Sequence, residues 1–307
     1  ELIPLLRLVL NDEQRPLVMR AFLLLCRSAT AKQYSEERRQ NARLCLGQLS
    51  TDTTTNYLVA YLTEEKTEKK TRNTLIQILA FMGSKITNRL LKVLADESSA
   101  TKRKILHEVL VRSGPASLPF INECLSDDRW FVVRNAVALL GDIRSQDSLA
   151  ELTLLLQHDD IRVRRETIRA LTRIGGKRAI NILLQTAASD DQDLRRQAIL
   201  SLGAMRATVA SPTLMSMLKQ KGWSQRGIDL KKDTIRALGE IRDPEAIPEL
   251  LKILRKKRWL HKQLNDELRV AAAAALGDIA EESTRAALEK ATNDKATTVA
   301  RAAAQAL

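Results

Sequence analysis

VVRNAVALLGDI at residues 132–143, VRRETIRALTRI at 163–174 and LRRQAILSLGAM at 194–205 align with one another without a gap. With Arg134, Arg165 and Arg196 as register marks, both steps are 31 residues. The register runs forward to Lys232, Val270 and Arg301 in steps of 36, 38 and 31. It runs back, more faintly, to Lys104, Asn73 and Gln40 in steps of 30, 31 and 33. A period of this length sustained along a chain marks stacked repeats, each too thin to bury its apolar face alone.

Each marked segment reads as one helix. In the central copy the apolar positions Val163, Thr167, Ala170, Leu171 and Ile174 fall on a stripe about 100° wide, with Arg165, Arg169 and Thr172 outside it. Gly83, Gly141, Gly175, Gly203, Gly239 and Gly277 follow the periodic residues, where a left-handed cap is expected. LAELTLLLQH from Leu149 and AIPELLKILRKK from Ala246 read as partner helices. Pro212 and Pro248 stand early in theirs, where a missing N–H matters little. No strand pattern competes. The expectation is an all-α solenoid of stacked antiparallel helix pairs, about eight to nine repeats over residues 1–307. Residues 1–100 read as degenerate repeats, 101–210 as regular ones and 211–307 as repeats with basic insertions.

Composition agrees with thin layers. Aromatics make up 3% of the chain, while apolar residues reach 44% and charged residues 28%. Such a mix suits helices lined by Leu, Ile, Val and Ala. Cys26, Cys45 and Cys124 show neither a C-x-x-C pair nor metal-type spacing, and read as small buried or half-buried residues of a reducing compartment. The apolar run Ala21 to Cys26 is too short to span a bilayer. These features point to a cytoplasmic protein with no membrane span. The chain starts at Glu1 and stops at Leu307 in mid-pattern, as a piece of a longer protein would.

An Asp, then V-R or L-R-R, then A-L-G at the helix end recurs as Asp159, Val163, Arg164, Arg165, Ala170 and Leu171. It recurs again as Asp190, Leu194, Arg195, Arg196, Leu202 and Gly203. This pattern resembles the HEAT-repeat superfamily, closest to the short repeats named after phycobilisome lyases. The resemblance covers about residues 36 to 307 and is sharpest from Leu125 to Met205. It implies the solenoid fold and leaves function open, since the superfamily hosts scaffolds, lyase subunits, hydroxylases and repair proteins. It also implies an inter-repeat ladder of paired Asp and Arg, for which Asp128 and Arg134, Asp159 and Arg165, and Asp190 and Arg196 are the candidates. The other reading of these arginines is an inner-face stripe that grips an anionic ligand. The ladder lapses later, where Arg226 stands six before Lys232 and Leu264 six before Val270.

Catalytic chemistry finds little footing. The histidines are His107, His158 and His261. The deoxyhypusine-hydroxylase branch of the superfamily holds iron with several His-Glu pairs, and this chain has His107-Glu108 alone. Walker, dinucleotide-glycine and Gly-x-Ser-x-Gly patterns are missing from the sequence. No metal site, catalytic residue or cofactor is expected.

Charge is the feature that stands out. The net is +13, and residues 201–262 hold 14 Lys and Arg against 6 Asp and Glu. The two long repeat steps fall in this window. The insertions read KQKGWSQRG, with Lys219, Lys221, Trp223 and Arg226, and RKKRWLHK, with Arg255, Lys256, Lys257, Arg258, Trp259 and Lys262. Equivalent loops of consecutive repeats lie on one edge of a solenoid. A Trp amid cations can stack on a base while the charges hold phosphate. The bland alternative makes RKKR the end of a longer helix, with Trp259 folded back on its own repeat.

The leading expectation is a non-catalytic scaffold that binds a protein partner along its surface. Nucleic acid or another anionic ligand, held by the basic loops of residues 219–262, is the alternative. A lyase or modifying-enzyme subunit is implied by the resemblance alone. Base excision is disfavoured, because its cleft needs several aromatics.

Overall fold

The computed structural model describes residues 4, 10, 12–219 and 224–307. Lys221 and Trp223 lie outside the described residues. Among the described residues there is no β-strand, and no helix is long and apolar enough to cross a membrane. The chain divides into two compact units, Glu1–Glu151 and Leu152–Leu307.

In the first unit α1 (Arg15–Thr30) packs on α2 (Glu36–Leu49), α3 (Asp52–Thr63) on α4 (Lys69–Met82), α5 (Ser84–Asp96) on α6 (Ala100–Ser113), and α7 (Leu118–Glu123) on α8 (Trp130–Ile143). A helix α9 (Leu149–Leu155) runs across the divide. The second unit is more regular. Its helices are α10 (Ile161–Ile174), α11 (Gly176–Ala187), α12 (Gln192–Ala204), α13 (Ser211–Leu218), α14 (Gln225–Ile241), α15 (Ile247–Arg255), α16 (Lys262–Ile279), α17 (Glu282–Ala291) and α18 (Thr297–Gln305). The helices α10, α12, α14, α16 and α18 touch in succession and form one row, backed by the helices between them. This is the helix-pair stacking that the 31-residue register predicts.

Helix starts follow from local chemistry. The side chains of Ser35, Thr51, Ser99, Asp160, Asp191 and Ser224 each accept a backbone N–H from the first turn, satisfying donors with no partner inside the helix. Pro212 and Pro248 occupy the first two positions of α13 and α15. In α10 the buried face is the predicted stripe widened by Ile168 and by Glu166, 5% exposed. Glu166 is tolerated there because Arg173 donates to it at 2.6 Å and Arg169 at 3.4 Å.

The glycines divide into two groups. Gly83 and Gly175 take φ of +58° and +68°, the left-handed cap that their positions predict. Gly203, Gly239 and Gly277 are not caps. They lie inside helices, and the left-handed residue comes three positions later, at Arg206, Arg242 and Ala280. Gly141, with Arg144 after it, follows the same rule. A Cβ added at Gly203 or Gly239 would stand 2.8 Å from the Cα of Ala237 or Ala275 on the next helix of the row, and one at Gly277 2.8 Å from the Cα of Ala306, just past the end of α18. These glycines let neighbouring backbones come close.

Candidate partner-binding surface

The expected Asp–Arg ladder exists with different acids. Arg165 donates to Asp193 at 2.8 Å, Arg196 to Asp233 at 2.6 Å and Lys232 to Glu267 at 2.9 Å. Asp128, Asp159 and Asp190 are exposed, and none pairs with the arginine six residues on. The reason is geometric. The register-marking side chain faces the next helix of the row, so its partner must lie on that helix and not in the turn before its own. Arg134 is exposed and makes no ion pair among the described residues.

At five of the nine register marks the residue just before is an arginine that does something the spacing did not reveal. Arg72, Arg103, Arg164, Arg195 and Arg269 all reach back to carbonyls of the preceding connection or of the last turn before it. The acceptors include Glu64 at 3.1 Å, Ser98 at 2.6 Å, His158 at 2.8 Å, Ser189 at 2.7 Å and Leu254 at 2.9 Å. These arginines clamp the five connections before their own helices, since a guanidinium offers several donors to carbonyls that no helix satisfies. The repeated R-R dipeptide was the available signal. Its first member holds its own repeat and its second reaches the next.

The basic insertion after α15 is built on such a clamp. The helix stops at Arg255, and Lys256 to His261 form a loop of exposed residues. Arg269 and Asn265, 3% and 4% exposed, hold the carbonyls of Leu254 and Lys256 at 2.9 and 3.0 Å. Asp294 accepts from Arg269 at 2.5 Å and from Lys257 at 2.9 Å. These bonds, the Arg269 guanidinium first, hold its carboxyl well below the ordinary range despite burial. Trp259 is 91% exposed and Leu260 58%. RKKR is therefore not a helix extension, and Trp259 does not fold back. Lys231, on α14, has its pKa lowered by burial, and further by the charges of Arg258 and Lys256.

Arg255, Lys256, Arg258 and Lys262 are exposed around this tip. Lys219 and Arg226 of the other insertion are exposed as well. Arg226 lines a groove of about 390 Å³ with Arg195, Arg196, Asp229 and Asp233. Two further grooves on the row meet at Ala204. One, of about 400 Å³, is walled by Arg169 and Arg173. The other, of about 530 Å³, is walled by Arg206, Arg236 and Arg242 with Glu240 and Asp278.

His107 Nε2 meets Asp142 at 2.7 Å, and Glu108 pairs with Arg112 at 2.8 Å. Among the described residues no group of three or more His, Cys, Asp or Glu side chains converges as a metal site would. The cysteines are half-buried and unbridged. Burial pushes the Cys26 thiol up to about 11, and burial, then Asp127 and Glu123, raises that of Cys124.

Stacked helix pairs with a closely packed row and clamped turns define an α-solenoid repeat protein. The family described as HEAT repeats matches residues 87–166, 118–203, 151–228 and 185–264, and the chain belongs to that family. No curated protein matches it. Among solved structures it is similar to human deoxyhypusine hydroxylase in complex with glycerol, at 19% identity over 85% of this chain and 97% of that one, TM-score 0.35. It is also similar to importin beta, at 11% over 97% and 48%, TM-score 0.48. The Escherichia coli protein YibA aligns at 16% over 84% and 97%, TM-score 0.37.

Proposed function

We propose that the chain is a non-catalytic scaffold of the cytoplasm that binds an extended, acidic protein segment along the row from α10 to α16. The observation that carries this reading is the pair of grooves meeting at Ala204. They are shallow and walled by Arg169 and Arg173, which share Glu166, by Arg236, paired with Glu240, and by Arg206 and Arg242, with Asp278 alongside. Guanidinium groups suit bidentate capture of carboxylates, and an open, elongated surface suits a chain better than a small substrate. Unbridged thiols fit a reducing compartment.

A photo-crosslinking residue at Ala204 tests the reading in cells. A discrete protein adduct that persists at about 200 mM salt and disappears in Arg206→Glu/Arg242→Glu supports it. Adducts that ignore those two arginines, or none at all, refute it.

A second reading, an anionic ligand at the basic loop, is favoured by one observation. Arg255, Lys256, Arg258 and Lys262 all lie exposed within eight residues of one another there.

A further inference from the structure

The loop from Lys256 to His261 exposes two consecutive large apolar side chains, Trp259 at 91% and Leu260 at 58%. Their exposure does not come from slack backbone. Arg269 and Asn265, both more than nine-tenths buried, give hydrogen bonds to the carbonyls at the stem of the loop. Lys257 is tied to Asp294. A loop pinned in this way presents its tip in a set place, which lowers the ordering penalty on binding. Arg255, Lys256, Arg258 and Lys262 flank the tip along the chain and are exposed.

We propose that this loop docks on an anionic lipid surface, with Trp259 and Leu260 entering the headgroup region and the four cations facing lipid phosphate and carboxylate groups. An indole is amphipathic and settles at the membrane–water interface. Leucine gains by leaving water. Lys and Arg are drawn to the negative surface. Nucleic acid fits the tip less well. Sequence-tolerant strand binding needs a groove that follows the backbone and rings that stack successive bases. Here a ring stands on a protruding tip beside an aliphatic side chain on which no base stacks. The grooves at Ala204 play no part in this reading, so either can fail alone.

The test is co-sedimentation of the full chain with vesicles of phosphatidylcholine, with and without about 30% phosphatidylserine. It is run at about 50 and 200 mM salt, beside an anisotropy titration with a fluorescent single-stranded oligonucleotide. Binding is expected to the phosphatidylserine vesicles and to be at least about 10-fold weaker without the anionic lipid. Lys256→Glu/Arg258→Glu should weaken it by about 30-fold or more, each cation near the surface being worth about 5-fold. Trp259→Ser/Leu260→Ser should weaken it by about 10-fold, with unchanged circular dichroism, since both side chains are exposed. Equal binding to the two vesicle types, or none to either, overturns the proposal. So does lipid binding that survives Trp259→Ser/Leu260→Ser. Oligonucleotide binding without lipid binding would hand the loop to nucleic acid instead.

Discussion

Arg269→Leu should destabilise the last repeats more than any surface change nearby. Arg269 is 3% exposed and the Asp294 side chain 7%. Removing one member of such a pair leaves the other charge buried, which costs about 3–5 kcal/mol. Asp294 would keep Lys257 at 2.9 Å and the Ala296 N–H at 2.9 Å, so the lower end of that range applies. The Leu254 carbonyl also loses its donor, adding about 1 kcal/mol. The total is about 4 kcal/mol. Stacked repeats open in pieces, so native-state hydrogen exchange of α16 and α18 is the suitable assay. About 4 kcal/mol corresponds to roughly 1,000-fold faster exchange, or to complete loss of protection where local opening costs less. Removing both charges, in Arg269→Leu/Asp294→Leu, should recover much of the loss, because a buried pair replaced by apolar groups is close to neutral. Exchange within threefold of the parent in Arg269→Leu, about 0.6 kcal/mol, would refute the reasoning. A double variant no better than the single one would do the same.

Other outcomes follow from the same structure. Asp294 has a lowered pKa in the folded state, so its stabilisation is complete above the unfolded carboxylate value of about 3.9 and is lost as pH falls towards the folded value. Between about pH 5 and 3 the parent should therefore lose more thermal stability than Asp294→Asn, and parallel losses would count against the shift. Gly239→Ala sets about 1 kcal/mol of helix propensity against about 1–3 kcal/mol of overpacking. The obstructing atom is the backbone Cα of Ala275 at 2.8 Å, which cannot rotate away, so a net loss of about 1 kcal/mol is expected in urea denaturation. A more stable variant would show that the helices separate readily. Cys26, with its thiol pushed up to about 11, should react with iodoacetamide at pH 8 about 100-fold more slowly than a free cysteine. Denaturant should abolish the difference, and fast labelling of the folded chain would contradict the burial.

Much of the fold was legible in one dimension. The 31-residue register, the apolar stripe of α10, the early prolines and the Ser, Thr and Asp helix starts are local or periodic features. Their physics depends on residues within a turn or two of each other. The position of the basic insertion was legible for the same reason, since a lengthened step must appear between helices. What each repeated residue touches was not. The glycines of α12, α14 and α16 look like caps along the chain, and only the next helix of the row shows that they make room for Ala237, Ala275 and Ala306. The arginines looked bound to the aspartates six residues before them. The tertiary structure pairs Arg165 and Arg196 with Asp193 and Asp233 instead, and gives the arginines just before the register mark to turn carbonyls. Likewise the sequence allowed Trp259 to be folded back or outward, and Arg269 and Asn265, from within α16, hold the stem so that it points out. Periodicity determined which residues are equivalent from repeat to repeat. Stacking decided what each one meets, because those partners lie some 25 to 37 residues away, beyond the reach of any local pattern.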